Sequence, residues 1–176
     1  ASELSLDFVN HGRSGPAANW AREAKVGDEF EFLGPGPAAD TDLSSDHFRF
    51  LGDRTAFPAI HQQLSRLGIV DFKSCEVTLL VTNENEKLYF DGFLKRRKFT
   101  FKVLFEIDPI QYIDSLPKEG LSLWAAGERK TIKTLKKLLK ERELNLKHKY
   151  ISSYWQPGKD QEEHSFLKKE DSEKYD

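Results

Sequence analysis

The residues best suited to chemistry in this sequence lie in two segments, 11–20 and 52–60, where small side chains precede a predicted helix. In the first, Gly12 and Gly15 allow a backbone to approach a bulky anion closely, and Pro16 favours the start of a helix. The N-terminus of a helix presents free N–H groups and the positive end of its dipole, which together suit a dinucleotide pyrophosphate. The same pattern is also compatible with a plain corner between a strand and a helix.

The second segment begins Gly52-Asp53-Arg54-Thr55 and follows a short apolar strand pattern. It lacks the full Gly-x-Gly-x-x-Gly pattern, so on its own it is only a weak indication of a nucleotide site. Arg54 is nevertheless a residue that can bind a phosphate group. The segment therefore supports a phosphate site without requiring one.

A third segment, residues 124–128, ends another apolar strand pattern. Its last residue, Glu128, stands at the N-terminus of the next predicted helix, where a carboxylate stabilises the helix dipole. Further along the chain, Tyr154 and Trp155 form an aromatic pair. Such a pair could cover a flat cofactor ring or could simply close a hydrophobic core.

No arrangement of residues predicts acid–base, nucleophilic or metal chemistry. The sequence contains no Ser-His-Asp, P-loop or HExxH pattern, and its histidines lack metal-ligand spacing; they are His11, His47, His61, His148 and His164. The lysines at helical spacing between residues 130 and 140 predict a solvent-exposed helix face. The sequence thus offers binding residues rather than catalytic ones.

Composition restricts the class of protein further. Of the 176 residues, 38% are hydrophobic and 32% are charged, as expected for a globular protein with a sizeable core. No apolar run approaches the roughly 20 residues that cross a bilayer, and no signal-peptide pattern opens the chain. The net charge of −2 argues against a dedicated nucleic-acid-binding protein, and the single Cys75 excludes an internal disulfide. These features predict a cytoplasmic protein without a membrane span.

The first part of the chain has the pattern of two strands around one helix. Residues 3–9 and 29–33 alternate between apolar and polar side chains, and residues 16–24 predict a helix with Gly15 as its N-cap. Residues 34–45 are rich in Gly, Pro, Asp and Ser and predict a linker. Because the chain opens within a strand pattern, we expect it to be a piece of a longer protein.

The second part of the chain alternates strand and helix patterns. The predicted strands cover residues 47–51, 76–82, 100–107, 121–125 and 150–155, and the predicted helices cover residues 56–67, 109–116 and 129–141. Thr55 is a plausible N-cap of the first of these helices, and Gly68 a plausible C′ residue. The alternation predicts an α/β fold with a parallel, doubly wound sheet, on which ligands bind at the carboxyl ends of the strands. Residues 160–176 are charged and predict a frayed helix or a disordered tail.

The order and wording of these segments resemble the siderophore-interacting protein family of flavin-dependent ferric-siderophore reductases, from about residue 4 to about residue 158. The resemblance implies a ferredoxin-reductase-like, nicotinamide-binding domain with an open, parallel, doubly wound sheet over residues 46–158. It implies that residues 1–45 are the C-terminal end of a β-barrel FAD-binding domain. Residues 159–176 would then be a charged tail.

The resemblance also implies two cofactor-binding sets. The pyrophosphate of FAD would be held by the first segment, at His11, Gly12, Gly15, Pro16, Ala17 and Ala18. NAD(P)H would be held by Gly52, Asp53, Arg54, Thr55, Ala126, Gly127, Glu128, Tyr154 and Trp155. Glu128 would orient the nicotinamide ring or a nearby flavin edge. The family usually has Gly-Asp-Glu-Thr-Ala in the second segment, so Arg54 replaces an acidic residue and leaves the identity of the electron donor open.

The activity implied by the resemblance is reduction of a ferric siderophore by FAD, with release of Fe(II) and with electrons from NAD(P)H. No catalytic side chain is required, because the cofactor performs the chemistry. The alternatives are a flavin reductase with another acceptor or with ferredoxin as the donor, and a non-catalytic nucleotide-binding module. The stretch that holds the flavin ring in this family would precede Ala1. The expected partners are therefore a ferric siderophore and a nicotinamide nucleotide or ferredoxin.

Overall fold

A computed structural model of the chain describes residues 6–8, 16–31, 40–159 and 161–175. The chain divides into two compact units, residues 1–38 and residues 39–176. In the first unit, helix α1 covers Pro16–Glu23, as the sequence predicts. The indole of Trp20 on this helix lies between two phenyl rings, with centroids 5.8 Å from Phe8 and 4.9 Å from Phe30. Trp20 therefore serves as the centre of a small aromatic cluster.

The two strands predicted in the first unit are not found in its described parts. Residues 6–8 and 29–31 are described, and neither stretch is a strand. A strand is defined by the ladder that it forms with a neighbour, and these stretches have no ladder partner among the described residues. The alternation of Leu6 and Phe8 instead supplies side chains that remain about two-fifths exposed. The other residues of the two predicted strands lie outside the described residues.

The second unit contains a five-stranded parallel sheet. Its strands are β1 (His47–Asp53), β2 (Ser74–Leu80), β3 (Phe99–Leu104), β4 (Leu121–Glu128) and β5 (His148–Trp155). Their order across the sheet is β3-β2-β1-β4-β5, and every neighbouring pair is parallel. The predicted parallel α/β fold is therefore confirmed. The strands β2 and β5 begin two residues before the predicted positions, because their ladders already start at Ser74 and His148.

Helices cover both faces of this sheet. They are α2 (Phe57–Leu67), a 3₁₀ helix (Glu84–Phe90), α3 (Asp91–Leu94), α4 (Pro109–Asp114), α5 (Arg129–Glu141) and α6 (Gln161–Tyr175). One hydrophobic core contains the buried face of α2 with Phe48, Phe50 and Trp124, and a second core contains α4 and α5 residues with Leu51 and Leu123. The sheet is thus doubly wound, with its two cores on opposite faces. No helix among the described residues is long and apolar enough to cross a membrane.

The start of α2 differs from the sequence expectation. Ala56, and not Thr55, is the N-cap residue of this helix, and no side chain caps it. A Cβ atom at Gly52 would lie 2.8 Å from both Ala56 Cβ and Ile60 Cδ1, so this glycine allows α2 to pack directly against β1. At the other end, Gly68 is the C-cap residue with φ of −55°, outside the left-handed conformation expected for a C′ glycine.

Candidate functional site

The carboxyl ends of the parallel strands bring three of the predicted segments together around one carboxylate. Asp53, the last residue of β1, accepts two hydrogen bonds at Oδ1, from Thr55 N at 2.9 Å and Thr55 Oγ1 at 2.5 Å. It accepts two more at Oδ2, from Glu128 N at 2.9 Å and Trp155 Nε1 at 2.7 Å. This Asp53 hub (Asp53, Thr55, Glu128 and Trp155) joins β1, β4 and β5. Because its acceptor sites are occupied, Asp53 organises the site rather than offering a free carboxylate.

Gly127 is a structural requirement of the Asp53 hub. Its φ is +148°, and a Cβ atom at this position would lie 2.5 Å from Asp53 Oδ2 and 2.9 Å from Asp53 Cγ. The strand also shifts register between Gly127 and Glu128, which brings Glu128 opposite Trp155. Gly127 therefore leaves the space that the Asp53 carboxylate fills, a role that its position in the sequence does not reveal.

A cavity of about 600 Å³ opens beside the Asp53 hub, on the face of the sheet that α5 covers. Its volume lies within the range of roughly 300–1,000 Å³ typical of ligand pockets. Of the residues predicted for NAD(P)H, those that line it are Asp53, Ala126, Gly127, Glu128 and Trp155. The other polar groups of the cavity come from Thr82, from Glu106 and from the first turns of α5, at Lys130, Thr131 and Thr134.

Part of this lining could bind a phosphate group. The Lys130 ammonium group and the Thr131 hydroxyl are donors for phosphate oxygens near the positive end of the α5 dipole. The Thr134 hydroxyl already donates to the Lys130 carbonyl oxygen at 3.0 Å. Phe105, which is 60% exposed, and Trp155 provide ring surfaces within the same cavity. Lys130 is exposed, as expected for a solvated face, and it also lines the cavity.

Arg54 does not line this cavity, and its guanidinium group lies near the loop that follows β2. Its Nη1 atom lies 3.9 Å from Glu86 Oε1, and its side chain is 40% exposed. Glu86 in turn accepts hydrogen bonds from Thr82 Oγ1 at 2.6 Å and from Thr82 N at 3.3 Å. The guanidinium group is therefore directed to the loop after β2, and it keeps enough exposure to meet a ligand phosphate.

The aromatic pair at the end of β5 divides between two roles. Tyr154 packs against the core: its ring is perpendicular to that of Trp124, at 6.4 Å, and its hydroxyl lies 3.5 Å from that of Tyr150. Burial raises the pKa of the Tyr154 phenol well above its usual range. Trp155 is 38% exposed and belongs to the Asp53 hub. Adjacent strand residues point to opposite faces, which accounts for this division.

Of the residues predicted for FAD, His11, Gly12 and Gly15 lie outside the described residues, and Pro16, Ala17 and Ala18 form the first turn of α1. This turn contains no acidic residue, and its side chains are small. The assignment of these residues to the FAD pyrophosphate stays a prediction.

Helix α6 is joined to α5 by a largely buried ion pair that the sequence did not reveal. Arg129 donates to Asp171 through Nε at 2.7 Å and Nη2 at 3.0 Å, and through Nη1 to Gln156 at 3.2 Å. The two side chains of this ion pair are only 16% and 10% exposed. His164, two helical turns before Asp171, is also buried. The spacing of seven residues between His164 and Asp171, which is two helical turns, was the one sequence signal that this charged stretch has a buried helix face.

We expect Asp171→Asn to loosen α6 while the sheet remains folded. The loss of charge-assisted hydrogen bonds costs about 1.5 kcal/mol, which corresponds to roughly tenfold faster amide exchange in this helix. The measurement is hydrogen exchange of residues 161–175 by mass spectrometry. Glu170→Gln, an equal charge change at an exposed neighbour, is the control and should leave the exchange rate unchanged. Equal rates in the two variants would contradict the role of the ion pair.

Two family models match this chain. The family model described as siderophore-interacting FAD-binding domain matches residues 1–39, and the model described as siderophore-interacting protein matches residues 45–158. A ferric acinetobactin reductase from Acinetobacter baumannii is 25% identical over 170 residues, covering 89% of this chain and 57% of the relative. A ferric vibriobactin reductase from Vibrio cholerae is 29% identical over 174 residues, covering 92% and 62%. The chain thus spans about three-fifths of the length of these relatives.

Solved structures show the same fold. A siderophore-interacting protein from Acinetobacter baumannii superposes with a TM-score of 0.74 at 22% identity, covering 95% of this chain and 69% of that one. A siderophore-interacting protein from Aeromonas hydrophila gives a TM-score of 0.54 at 22% identity, covering 81% and 63%. At these identities the likeness concerns the fold.

Proposed function

This chain belongs to the siderophore-interacting protein family, and from that membership we propose that it forms part of a ferric-siderophore reductase. The observation that carries the proposal is the match of residues 45–158 to the siderophore-interacting protein model. Two relatives that are named as reductases of ferric siderophores support it. Because the chain covers 57% and 62% of those relatives, the activity is proposed for the whole protein, to which this chain contributes the nicotinamide-binding domain and the end of the FAD-binding domain.

The proposed reaction oxidises one NAD(P)H to NAD(P)⁺ and a proton and reduces two Fe(III) ions to Fe(II), which a siderophore holds weakly. When FAD is bound, it supplies the chemistry that links the two-electron hydride transfer from NAD(P)H to two one-electron transfers to Fe(III). No side chain needs to act as an acid or a base in this reaction. The residues of this chain therefore have to bind and orient the two dinucleotides and to exclude water.

The described residues suit those binding roles. The first turn of α1, with Ala17 and Ala18, would hold the FAD pyrophosphate at its N–H groups. In the cavity beside the Asp53 hub, Lys130 would bind a phosphate of the nicotinamide nucleotide, and the Glu128 carboxylate would accept a hydrogen bond from the carboxamide. Trp155, which is fixed by its bond to Asp53, would lie against one ring of the nucleotide.

A ferredoxin is the second candidate for the electron donor. The observation that favours it is Arg54, which stands where the family usually has an acidic residue and which faces Glu86 at 3.9 Å. The charge at position 54 is therefore reversed relative to the usual family pattern. A loop with this substitution need not bind the nicotinamide donor that is usual in the family.

The full-length protein provides the test. Purified protein should absorb at about 450 nm, the band of an oxidised flavin, and should bleach on anaerobic addition of NADPH or NADH. Addition of a ferric siderophore should then restore the band and yield Fe(II), which a ferrous chelator reports. A colourless full-length protein would contradict the proposed function. Bleaching only by reduced ferredoxin would replace NAD(P)H with the second donor.

We expect Arg54→Glu in the full-length protein to weaken the binding of NADPH more than that of NADH. Only NADPH carries a phosphate monoester, and loss of a charge-assisted hydrogen bond to it costs roughly 1.5–3 kcal/mol. Stopped-flow reduction at several concentrations of each donor measures the two affinities. Arg66→Glu, the same change on α2 at a side chain that is 36% exposed, is the control. Parallel losses for both donors would show that Arg54 does not meet that phosphate.

A further inference from the structure

A second cavity, of about 350 Å³, opens at the carboxyl end of β5 where α6 packs. We refer to it as the His164 pocket, and its lining residues are Thr55, Ser153, Tyr154, His164, Ser165 and Lys168. Three of these residues belong to α6, which follows the segment 45–158 that the family model matches. The pocket therefore depends on a helix outside the matched domain.

The buried imidazole of His164 indicates that this pocket takes a polar ligand. The residue is 3% exposed, and among the described residues its Nε2 atom has no hydrogen-bond partner. Buried polar atoms in folded proteins nearly always have a partner, because leaving one unpaired costs the full desolvation penalty. A ligand that lies in the pocket would supply the missing partner.

The other polar groups of the pocket define the chemistry of that ligand. Lys168 lies one helical turn after His164 and therefore on the same side of α6. Ser153 contributes a hydroxyl from a residue that is 5% exposed. The Thr55 hydroxyl already donates to Asp53 Oδ1, so Thr55 offers only its oxygen. An ammonium group, a hydroxyl and an imidazole nitrogen together suit an anion with several acceptor oxygens.

The charges around His164 leave one cation for such an anion. Burial, Lys168 and Arg129 lower the pKa of His164, whereas Asp171 raises it. Arg129 is paired with Asp171 through two hydrogen bonds, so its charge is compensated locally. Lys168 is therefore the cation that the pocket can offer to a ligand. The neutral imidazole can still donate one N–H bond.

We propose that the His164 pocket binds a phosphate group, with the Lys168 ammonium, the Ser153 hydroxyl and the Nε2–H of His164 as donors. The group is either free inorganic phosphate or the phosphate monoester of a nucleotide. Because Thr55 and Tyr154 are also among the residues predicted for NAD(P)H, binding of a nucleotide phosphate here rests on the proposed function, whereas binding of free phosphate does not. The pocket is also distinct from the cavity beside the Asp53 hub, because no residue lines both cavities.

The test is a titration of the 176-residue chain with inorganic phosphate, followed by the ring signals of His164 in NMR spectra. Sodium chloride at matched ionic strength serves as the reference. We expect a saturable shift of these signals and a higher pKa of His164 in phosphate, because a bound anion favours the imidazolium form. Lys168→Met should weaken binding about tenfold, since a charge-assisted hydrogen bond is lost. Lys169→Met, at the exposed neighbouring residue, should leave the affinity unchanged.

Two further arms keep the proposal open to refutation. Ser153→Ala, which removes one buried hydroxyl with little change in volume, should also weaken binding and should preserve the native spectrum. A parallel titration with AMP distinguishes the source of the phosphate: tighter binding of AMP indicates a nucleotide, and tighter binding of inorganic phosphate indicates a free anion. Absence of a His164 response to either probe, or equal affinities in Lys168→Met and Lys169→Met, would overturn the proposal.

Discussion

Gly127→Ala should lower the free energy of unfolding by about 3–4 kcal/mol, an unusually large loss for the addition of one methyl group. The new Cβ atom would lie 2.5 Å from Asp53 Oδ2, so the carboxylate must move and its hydrogen bonds must lengthen or break. The positive φ of +148° adds backbone strain for any residue with a side chain. Urea unfolding followed by far-ultraviolet circular dichroism measures the loss.

Gly158→Ala is the matched control for this substitution. Gly158 also has a positive φ, of +74°, but a Cβ atom there would meet nothing within 4 Å. Its replacement should therefore cost only the backbone strain, about 1 kcal/mol. The difference between the two variants isolates the clash with Asp53. Equal losses would mean that the Asp53 carboxylate moves aside without cost, which would contradict its structural role.

Asp53→Ala should destabilise the chain by about 3 kcal/mol, because it leaves four donor groups without their acceptor. These groups are the backbone N–H and hydroxyl of Thr55, the N–H of Glu128 and the indole N–H of Trp155. Asp53→Asn keeps the size of the side chain but turns two acceptor positions into a donor, and we expect about 2 kcal/mol. Chemical unfolding of both variants provides the values.

A double-mutant cycle with Trp155→Phe checks that the hub acts as a unit. Trp155→Phe alone removes one donor and one hydrogen bond and should cost about 1 kcal/mol. In the double variant Asp53→Ala/Trp155→Phe, no indole N–H is left unpaired, so the loss should be smaller than the sum of the single losses. Strictly additive losses would show that Trp155 and Asp53 are not coupled.

The fold of the second unit could be predicted from the sequence because its signals are local. Apolar runs such as residues 76–82 indicate strands that are covered on both faces, and the spacing of Ile132, Leu135 and Leu139 indicates a helix with one buried side. Their alternation then determines a parallel sheet. The two strands predicted in the first unit are not found in its described parts, because an alternating pattern does not show whether a partner strand is present.

The Asp53 hub could not be predicted, because its members are distant in sequence. Asp53 and Glu128 are joined by a bond that spans 75 residues, and Asp53 and Trp155 by one that spans 102. The sequence identified each segment as a possible ligand site but gave no indication that one carboxylate connects them. The expectation that Thr55 caps α2 failed for a related reason. The sequence showed the helix that follows Thr55, but it did not show that the Thr55 hydroxyl donates to Asp53 Oδ1.

The packing of α6 against the sheet and α5 could not be predicted from the sequence, for a different reason. This helix has no apolar stripe, and among its residues whose burial the structure describes, the buried ones are His164 and Asp171. Rules based on apolar periodicity therefore treat the segment as solvated. An ion pair between Arg129 and Asp171 depends on the position of α5, which the fold alone provides.

The close packing at Gly52 has an evolutionary consequence. A side chain there would collide with Ala56 and Ile60 and would come within 3.2 Å of the Ala126 carbonyl oxygen, so the backbone of the loop after β1 is set by α2 and β4 together. The neighbouring Arg54 is 40% exposed and lies outside both cores. Position 54 can accordingly mutate between acidic and basic residues without disturbing the scaffold. A substitution at position 54 that favours a new electron donor would therefore cost little folding stability.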